Sequence, residues 1–419
     1  MSISTFKATI FTAIILTGAI SLALGTVLHS TTIPSSGGII LGHTSPLHVE
    51  GKYIKDENGN IVHLRGVCKS GHIAVPGGYW QPEGSFNEYG YGVWLPDAVT
   101  YNLEEMRRLG FTIVRVFLPE VGRWLRNQDP GIGITPRREI TYVINEANKL
   151  GMYVMITPWA VDNAVSGGQT GIPWDPYTNP TERGVLPDRE AFINYWAGDM
   201  NSLSAEYGNF PNVIYELWNE PNGWSPDFDM QRMYFDTCQE IVSRLRAKGD
   251  EHLVVYQFGF SGMESNQALA KGQVIEGTNI VYAIHSYRVT GGPSFTWHFY
   301  SGQYLYEDVK KILLNTGDGV TRSYYVQNVI DKEVPLIDTE FGAAVPNYIP
   351  DGNYENECTW FYNVMTCFNE WEFGYVDFEW HSRDVRTLGI LDDNTRFPWR
   401  PPLIRAGEIL VERIANGTT

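Results

Sequence analysis

A closed (β/α)8 barrel of the TIM type, preceded by a short β-hairpin, is the α/β fold this sequence predicts. First, eight short apolar runs alternate with longer amphipathic stretches; they are residues 64–68, 112–118, 153–158, 213–218, 252–258, 280–285, 335–339 and 374–378. Alternating strand and helix signals mark a parallel sheet covered by helices. Second, the runs are close to continuously apolar, as in Val213-Ile214-Tyr215, which suits strands buried on both faces. Third, no glycine-rich phosphate loop follows the first run, so the competing doubly wound open sheet lacks its usual signature.

Taken in order, the chain begins with an export signal or an anchor. Lys7 supplies a positive charge, and residues 8–28 are apolar and small with no charge. That segment is either cleaved near Ala23 or retained in the membrane, and both readings put the bulk of the chain outside the cytoplasm. Residues 29–46, rich in Ser, Thr, Gly and Pro, form a linker, and residues 47–419 form the barrel domain. Residues 49–64 make a hairpin about Asp56-Glu57-Asn58-Gly59-Asn60. The clearest helix covers residues 137–150, where Ile140, Val143, Ile144, Ala147 and Leu150 recur at helical spacing before Gly151. Further helices are expected at 96–109, 188–207, 227–248, 353–371 and 401–414, and an elaborated loop at 289–332.

A net charge of −17 argues against nucleic acid or an anionic membrane surface as partner. A neutral polysaccharide meets no such objection, and thirteen Trp offer flat apolar faces suited to sugar rings. Seven of them (Trp80, Trp94, Trp124, Trp159, Trp174, Trp224 and Trp297) fall after strand ends, which reads as a long groove and an internal cut. The four cysteines do not read as a disulfide framework. Cys358 and Cys367 would lie about 13 Å apart along one helix, on opposite sides, and no CxxC spacing suggests a zinc site. A monomer without metal or cofactor is expected.

Two strings carry the chemistry: Leu217-Trp218-Asn219-Glu220-Pro221 closes the fourth run, and Asp338-Thr339-Glu340-Phe341-Gly342 closes the seventh. Each delivers a glutamate to the C-terminal end of a strand, where barrels build their sites. Two facing carboxylates are what glycoside hydrolysis requires: one protonates the departing oxygen and the other attacks the anomeric carbon. Glu216 and Asp338 are rival acids. Strand alternation points both inward and deeper, where they read as core-pairing groups.

These motifs, with His285-Ser286-Tyr287 at the sixth run, resemble glycoside hydrolase family 5, the retaining cellulase family, over roughly residues 50–415. The resemblance implies Glu220 as general acid/base and Glu340 as nucleophile. It further implies Arg115 beside the nucleophile, Asn219 on the sugar 2-hydroxyl, Tyr287 donating to Glu340 or to the ring oxygen, His285 tuning Glu220, and Trp380 as the floor under the sugar. Arg115 should keep Glu340 ionised, while the repulsion of Glu340 should raise the pKa of Glu220. The chain departs from the family pattern at Thr157-Pro158-Trp159-Ala160, where a histidine is common; His72 is either its replacement or an ordinary loop histidine. The expected activity is endo-β-1,4-glucanase, with β-mannanase as the nearest alternative, an exo-glucosidase behind it, and an inactive carbohydrate binder as the alternative from another class. A metal-dependent barrel hydrolase would show His-x-His where the first run has Val67-Cys68-Lys69, and Gly259-Phe260-Ser261-Gly262-Met263 fails the serine-hydrolase pattern at its last position.

Overall fold

Eight parallel strands hydrogen-bond in a ring: β3 (Arg65–Lys69), β4 (Ile113–Phe117), β5 (Tyr153–Thr157), β6 (Val213–Glu216), β7 (Val254–Gln257), β8 (Ile280–Ser286), β11 (Leu336–Phe341) and β12 (Gly374–Asp377), which returns to β3. The computed structural model describes residues 44–69, 96–118, 121–129, 133–158, 188–221, 228–258, 274–287, 289–290, 298–299, 304–314, 326–343, 354–380 and 403–417. The export segment, the linker up to residue 43, His72, and six of the seven loop tryptophans lie outside the described residues. Each barrel strand occupies one of the eight expected runs.

Every residue of these strands is buried, as a barrel filled inside and covered outside demands. Alternate residues divide into two layers. Cys68, Ile113, Met155, Ile214, Val255, Ala283, Ile337 and Val376 fill the interior, while Val67, Val114, Val154, Tyr215, Val254, Ile284 and Tyr375 pack outward against the helices. Gly66 is required by close approach, since a Cβ there would sit 1.8 Å from the carbonyl oxygen of Ile113 on the neighbouring strand.

The expected hairpin is present as β1 (His48–Glu50) and β2 (Tyr53–Lys55). Leu47 and Ile54 join the interior cluster, and the Val49 N–H donates to Asn279, just before β8. The hairpin therefore plugs the N-terminal end of the barrel and leaves the opposite end for chemistry. Helix α1 (Pro96–Arg108), α2 (Val121–Arg126) and α3 (Pro136–Lys149) follow the first two barrel strands. In α3, Ile140, Val143, Ile144 and Ala147 form the buried stripe, with Pro136 in the first turn and Gly151 at φ 68° after the end.

The single helix expected at 188–207 is two: α4 (Arg189–Ala197) and α5 (Leu203–Tyr207). Gly198 ends the first, Asn201 takes φ 54°, and Ser202 opens the second by accepting from the Ala205 N–H. After α6 (Phe228–Ala247), the segment read as an elaborated loop contains an antiparallel pair, β9 (Val289–Thr290) with β10 (His298–Phe299), and the helices α7 (Tyr306–Leu314) and α8 (Val326–Asp331). Helices α9 (Tyr354–Trp371) and α10 (Arg405–Asn416) complete the outer layer. All four cysteines are buried free thiols.

Candidate active site

At the C-terminal mouth of the barrel, Arg115 on β4 organises three strands at once. Its Nε donates to Glu216 at 2.5 Å, Nη1 to Glu340 at 2.7 Å and Nη2 to Asn219 Oδ1 at 2.7 Å. The side chain is fully buried. Burial works against its charge, but Glu216 and Glu340 outweigh it and hold its pKa well above the ordinary value. Only arginine offers such a planar fork of donors.

Glu340 receives a second bond from the Tyr287 hydroxyl at 3.0 Å. Burial pushes its carboxyl up from the ordinary carboxylate range, while His285 and Arg115 pull it down. Glu220 sits past the end of β6 with φ 48°, a left-handed conformation costing a non-glycine residue on the order of 1–3 kcal/mol. Gln257 on β7 secures it by accepting its backbone N–H at 2.6 Å. About a third of the Glu220 side chain is exposed (31%), yet the surrounding protein desolvates the carboxyl and pushes its pKa up to about 7. Arg115 opposes that shift and Glu216 adds to it. The charge expected to raise Glu220 was that of Glu340; desolvation is the larger cause, and Glu216 is the acid that contributes.

His285 on β8 bridges the two acids. Its Nδ1 lies 2.9 Å from Glu220 Oε1 and 3.6 Å from Glu340 Oε2, and its Nε2 lies 3.1 Å from Thr339 Oγ1. Burial lowers its pKa to about 4, so the ring is neutral. One ligating atom each of Glu220, His285 and Glu340 falls within 4.8 Å of the others. Such a trio has the donor set for a cation, but the Arg115 guanidinium already supplies the positive charge beside Glu340. An approach this close between one oxygen of each acid suits two carboxylates flanking a single bond, as a retaining arrangement of about 5 to 5.5 Å requires.

Of the seven residues singled out in the sequence, Glu220, Glu340, Arg115, Asn219, His285 and Tyr287 converge here. Trp380 does not. It is 3% exposed, sits in the outer layer edge-on to Phe111, and its Nε1 faces Asn102 on α1 at 3.3 Å. The aromatic on the interior side after β12 is Phe378, half-buried and edge-on to Phe117. Trp124, read as a groove residue, is likewise a core residue, buried on α2 against Tyr195 and beneath the Arg137 guanidinium.

Asp338 also departs from expectation. Consecutive residues of β8, Ile284 and His285, pair with Asp338 and Glu340 on β11, so Thr339 is an extra residue in the strand. This bulge breaks the alternation. Ile337 faces the interior, Asp338 turns to the other face and bonds Ser286, and Thr339 and Glu340 then both face inward. Burial raises the Asp338 carboxyl well above its ordinary range. Glu216 does point inward, as expected, paired with Arg115. Sequence alone missed Thr339 and Gln257, and nothing in period-two patterning signals the bulge.

The sequence pattern described as Cellulase (glycosyl hydrolase family 5) matches residues 57–384. The chain belongs to glycosyl hydrolase family 5. Within the family's reach, it is 22% identical to an endoglucanase of Clostridium saccharobutylicum over 278 residues, 65% of this chain and 49% of that protein. The chain thus spans about half the length of that relative. Among solved structures, it resembles a β-glucanase of Saccharophagus degradans (TM-score 0.60, 14% identity, 90% of this chain and 95% of that one). It also resembles a β-mannanase of Streptomyces thermolilacinus (TM-score 0.52, 18% identity, 85% and 93%). At such identities the structural likeness establishes the shared barrel, and family 5 membership rests on the sequence match.

Proposed function

We propose that this protein is a retaining endo-β-1,4-glucanase that hydrolyses cellulose or mixed-linkage β-glucan by double displacement. The observation that carries the reading is the pair Glu220 and Glu340, an oxygen of each within 4.8 Å, in contrasting settings. Glu340, gripped by Arg115 and Tyr287, is the carboxylate that attacks the anomeric carbon. Glu220, with its pKa near 7, holds the proton that the departing sugar oxygen takes. In the second step Glu220 accepts a proton from water as that water displaces Glu340, and the two inversions restore the starting anomer. Asn219, oriented by Arg115, would bond the 2-hydroxyl, a contact that strengthens as charge develops on the ring.

The likeness to an endoglucanase supports glucan and an internal cut; the tryptophan argument for a groove loses Trp124. A β-mannanase is the second reading, favoured by the fold likeness to a mannanase, since mannose differs from glucose at the 2-hydroxyl that Asn219 would contact. Export belongs to the same proposal and rests on Lys7 and residues 8–28. The test is a screen of protein lacking residues 1–46 on carboxymethyl cellulose, barley glucan, glucomannan, mannan and xylan, with the first anomer followed by NMR. Reducing ends from the glucans with retained configuration are expected. Inversion would remove Glu340 as nucleophile, preference for mannan would select the second reading, and no product from any polymer would leave a binder.

A further inference from the structure

Donor and acceptor accounting around the bulge residue Thr339 leads to a conclusion about where one proton sits. Thr339 Oγ1 lies 2.9 Å from Glu216 Oε1 and 3.1 Å from His285 Nε2. Glu216 is the carboxylate held by Arg115, and an ionised carboxylate can only accept. The single hydroxyl proton of Thr339 is therefore directed to Glu216, and toward His285 the same oxygen can only accept. A neutral imidazole has one N–H. It must be on Nε2, which leaves Nδ1 bare, 2.9 Å from Glu220 Oε1. Two lone pairs do not face each other at that distance without cost, so the oxygen facing Nδ1 carries a proton.

We infer that Thr339, through its bonds to Glu216 and His285, fixes the Nε2–H tautomer of His285 and thereby holds Glu220 in its protonated form. Thr339 is a positioning residue, acting through the imidazole and not on the sugar. The inference rests on the reading of Glu220 as the proton donor. The strand bulge is what lets Thr339 and Glu340 face the interior together, because regular alternation would turn one of the two to the outer layer. Among the described residues, the other charged and titratable groups facing this chain are Arg115 from β4, Glu340 from β11 and Tyr287 after β8. None of them touches Nε2 in place of Thr339.

Replacing Thr339 with Val removes the acceptor for Nε2–H at nearly constant volume. The ring then gains by moving its proton to Nδ1, where it donates to the Glu220 carboxylate and favours the ionised form. The alkaline limb of kcat/KM should move down by about one pH unit, so that above the limb the variant is about tenfold slower. Substrates with a dinitrophenyl leaving group need no proton and should lose far less, and Thr339→Ser should restore the wild-type profile. In parallel, 15N–1H spectra of histidine-labelled enzyme near neutral pH, assigned with His285→Asn, report the tautomer directly. Nε2–H is expected in the wild type and Nδ1–H in Thr339→Val. An Nδ1–H proton in the wild type, or an alkaline limb unmoved in a folded Thr339→Val, overturns the inference; should that variant not fold, the wild-type spectrum decides. Failure of the glycosidase reading looks different, as a wild-type protein that releases no reducing ends whatever tautomer it shows.

Discussion

Replacing Arg115 with Met tests the centre of the site, because one buried cation serves three partners. The substitution preserves much of the side-chain volume and removes bonds to Glu216, Glu340 and Asn219 of 2.5, 2.7 and 2.7 Å. Glu216 is fully buried and Glu340 is 8% exposed, so two carboxylates lose their counter-charge where water cannot replace it. Breaking a buried pair costs about 3–5 kcal/mol. With an unfolding entropy of about 2.1 cal/mol/K per residue, 419 residues give about 0.9 kcal/mol per degree, so a loss of about 4 kcal/mol lowers Tm by about 4.5 °C. The pH dependence follows from sign. Arg115 lowers the pKa of Glu340 against its burial; without it that pKa rises further, and a nucleophile must be ionised. The acidic limb of kcat/KM should therefore move up by about 1–3 pH units, the range an adjacent opposite charge supplies. Scanning fluorimetry and kcat/KM profiles on an aryl β-cellobioside check both figures. An acidic limb that stays in place, with Tm within a degree of wild type, would refute the electrostatic account of Glu340.

Glu340→Ala should lower turnover by several orders of magnitude, about 10⁴-fold or more, while leaving polysaccharide binding. Azide should partly rescue it with an α-glycosyl azide, whereas Glu220→Ala rescued by azide should give the β-anomer; chromatography of the products distinguishes them. Asp377 has neither carboxylate oxygen hydrogen-bonded and is fully buried, and burial followed by the charge of Glu379 raises its pKa well above the ordinary value. The folded state thus keeps a proton that the unfolded chain gives up, so this group costs stability increasingly as pH rises above the unfolded value. Asp377→Asn should raise Tm more at pH 8 than at pH 5; an equal change at both would remove the linkage. Trp380→Phe should lower Tm, through loss of the contact with Asn102, and leave KM within about twofold; a large rise in KM would return Trp380 to the sugar.

What could be read from sequence was what strand chemistry writes locally. Continuous apolar runs such as residues 213–218 declare strands buried on both faces, and Glu220 and Glu340 follow two of them directly. Side-chain direction at the strand ends was less legible, because the period of two holds only while the ladder is regular. Past Ile337 the bulge leaves Thr339 and Glu340 both inside, so counting back by two from Glu340 gives Asp338 the wrong face and hides the threonine. Past Asp377 the order is similar in kind: Phe378 takes the interior side and Trp380 the outer layer, a swap that composition cannot reveal because both are aromatic. Trp124 and the helix interrupted at Gly198 were missed for another reason. Position after a strand does not distinguish a loop from a short buried helix, and the 188–207 pattern is apolar enough to conceal Ser202 acting as a second cap.

The buried pair of Arg115 and Glu216 biases the two acids in opposite senses. On the Arg115 side it draws Glu340 toward ionisation. On the Glu216 side it takes the Thr339 hydroxyl proton, and its charge raises the pKa of Glu220. Substitutions at the two ends of one ion pair should therefore move the pH profile in opposite directions. Arg115→Met removes a charge that lowers both acids, so the whole bell moves up. Glu216→Gln removes a charge that raises Glu220, and its amide can donate to Thr339 Oγ1. The threonine proton then turns to Nε2, and the Nδ1–H of His285 favours the Glu220 carboxylate. Both effects bring the alkaline limb down, by about one pH unit or more, while Tm falls by several degrees because Arg115 loses a partner. If the pair were merely structural, the two variants would lose stability and activity together with their profiles unshifted.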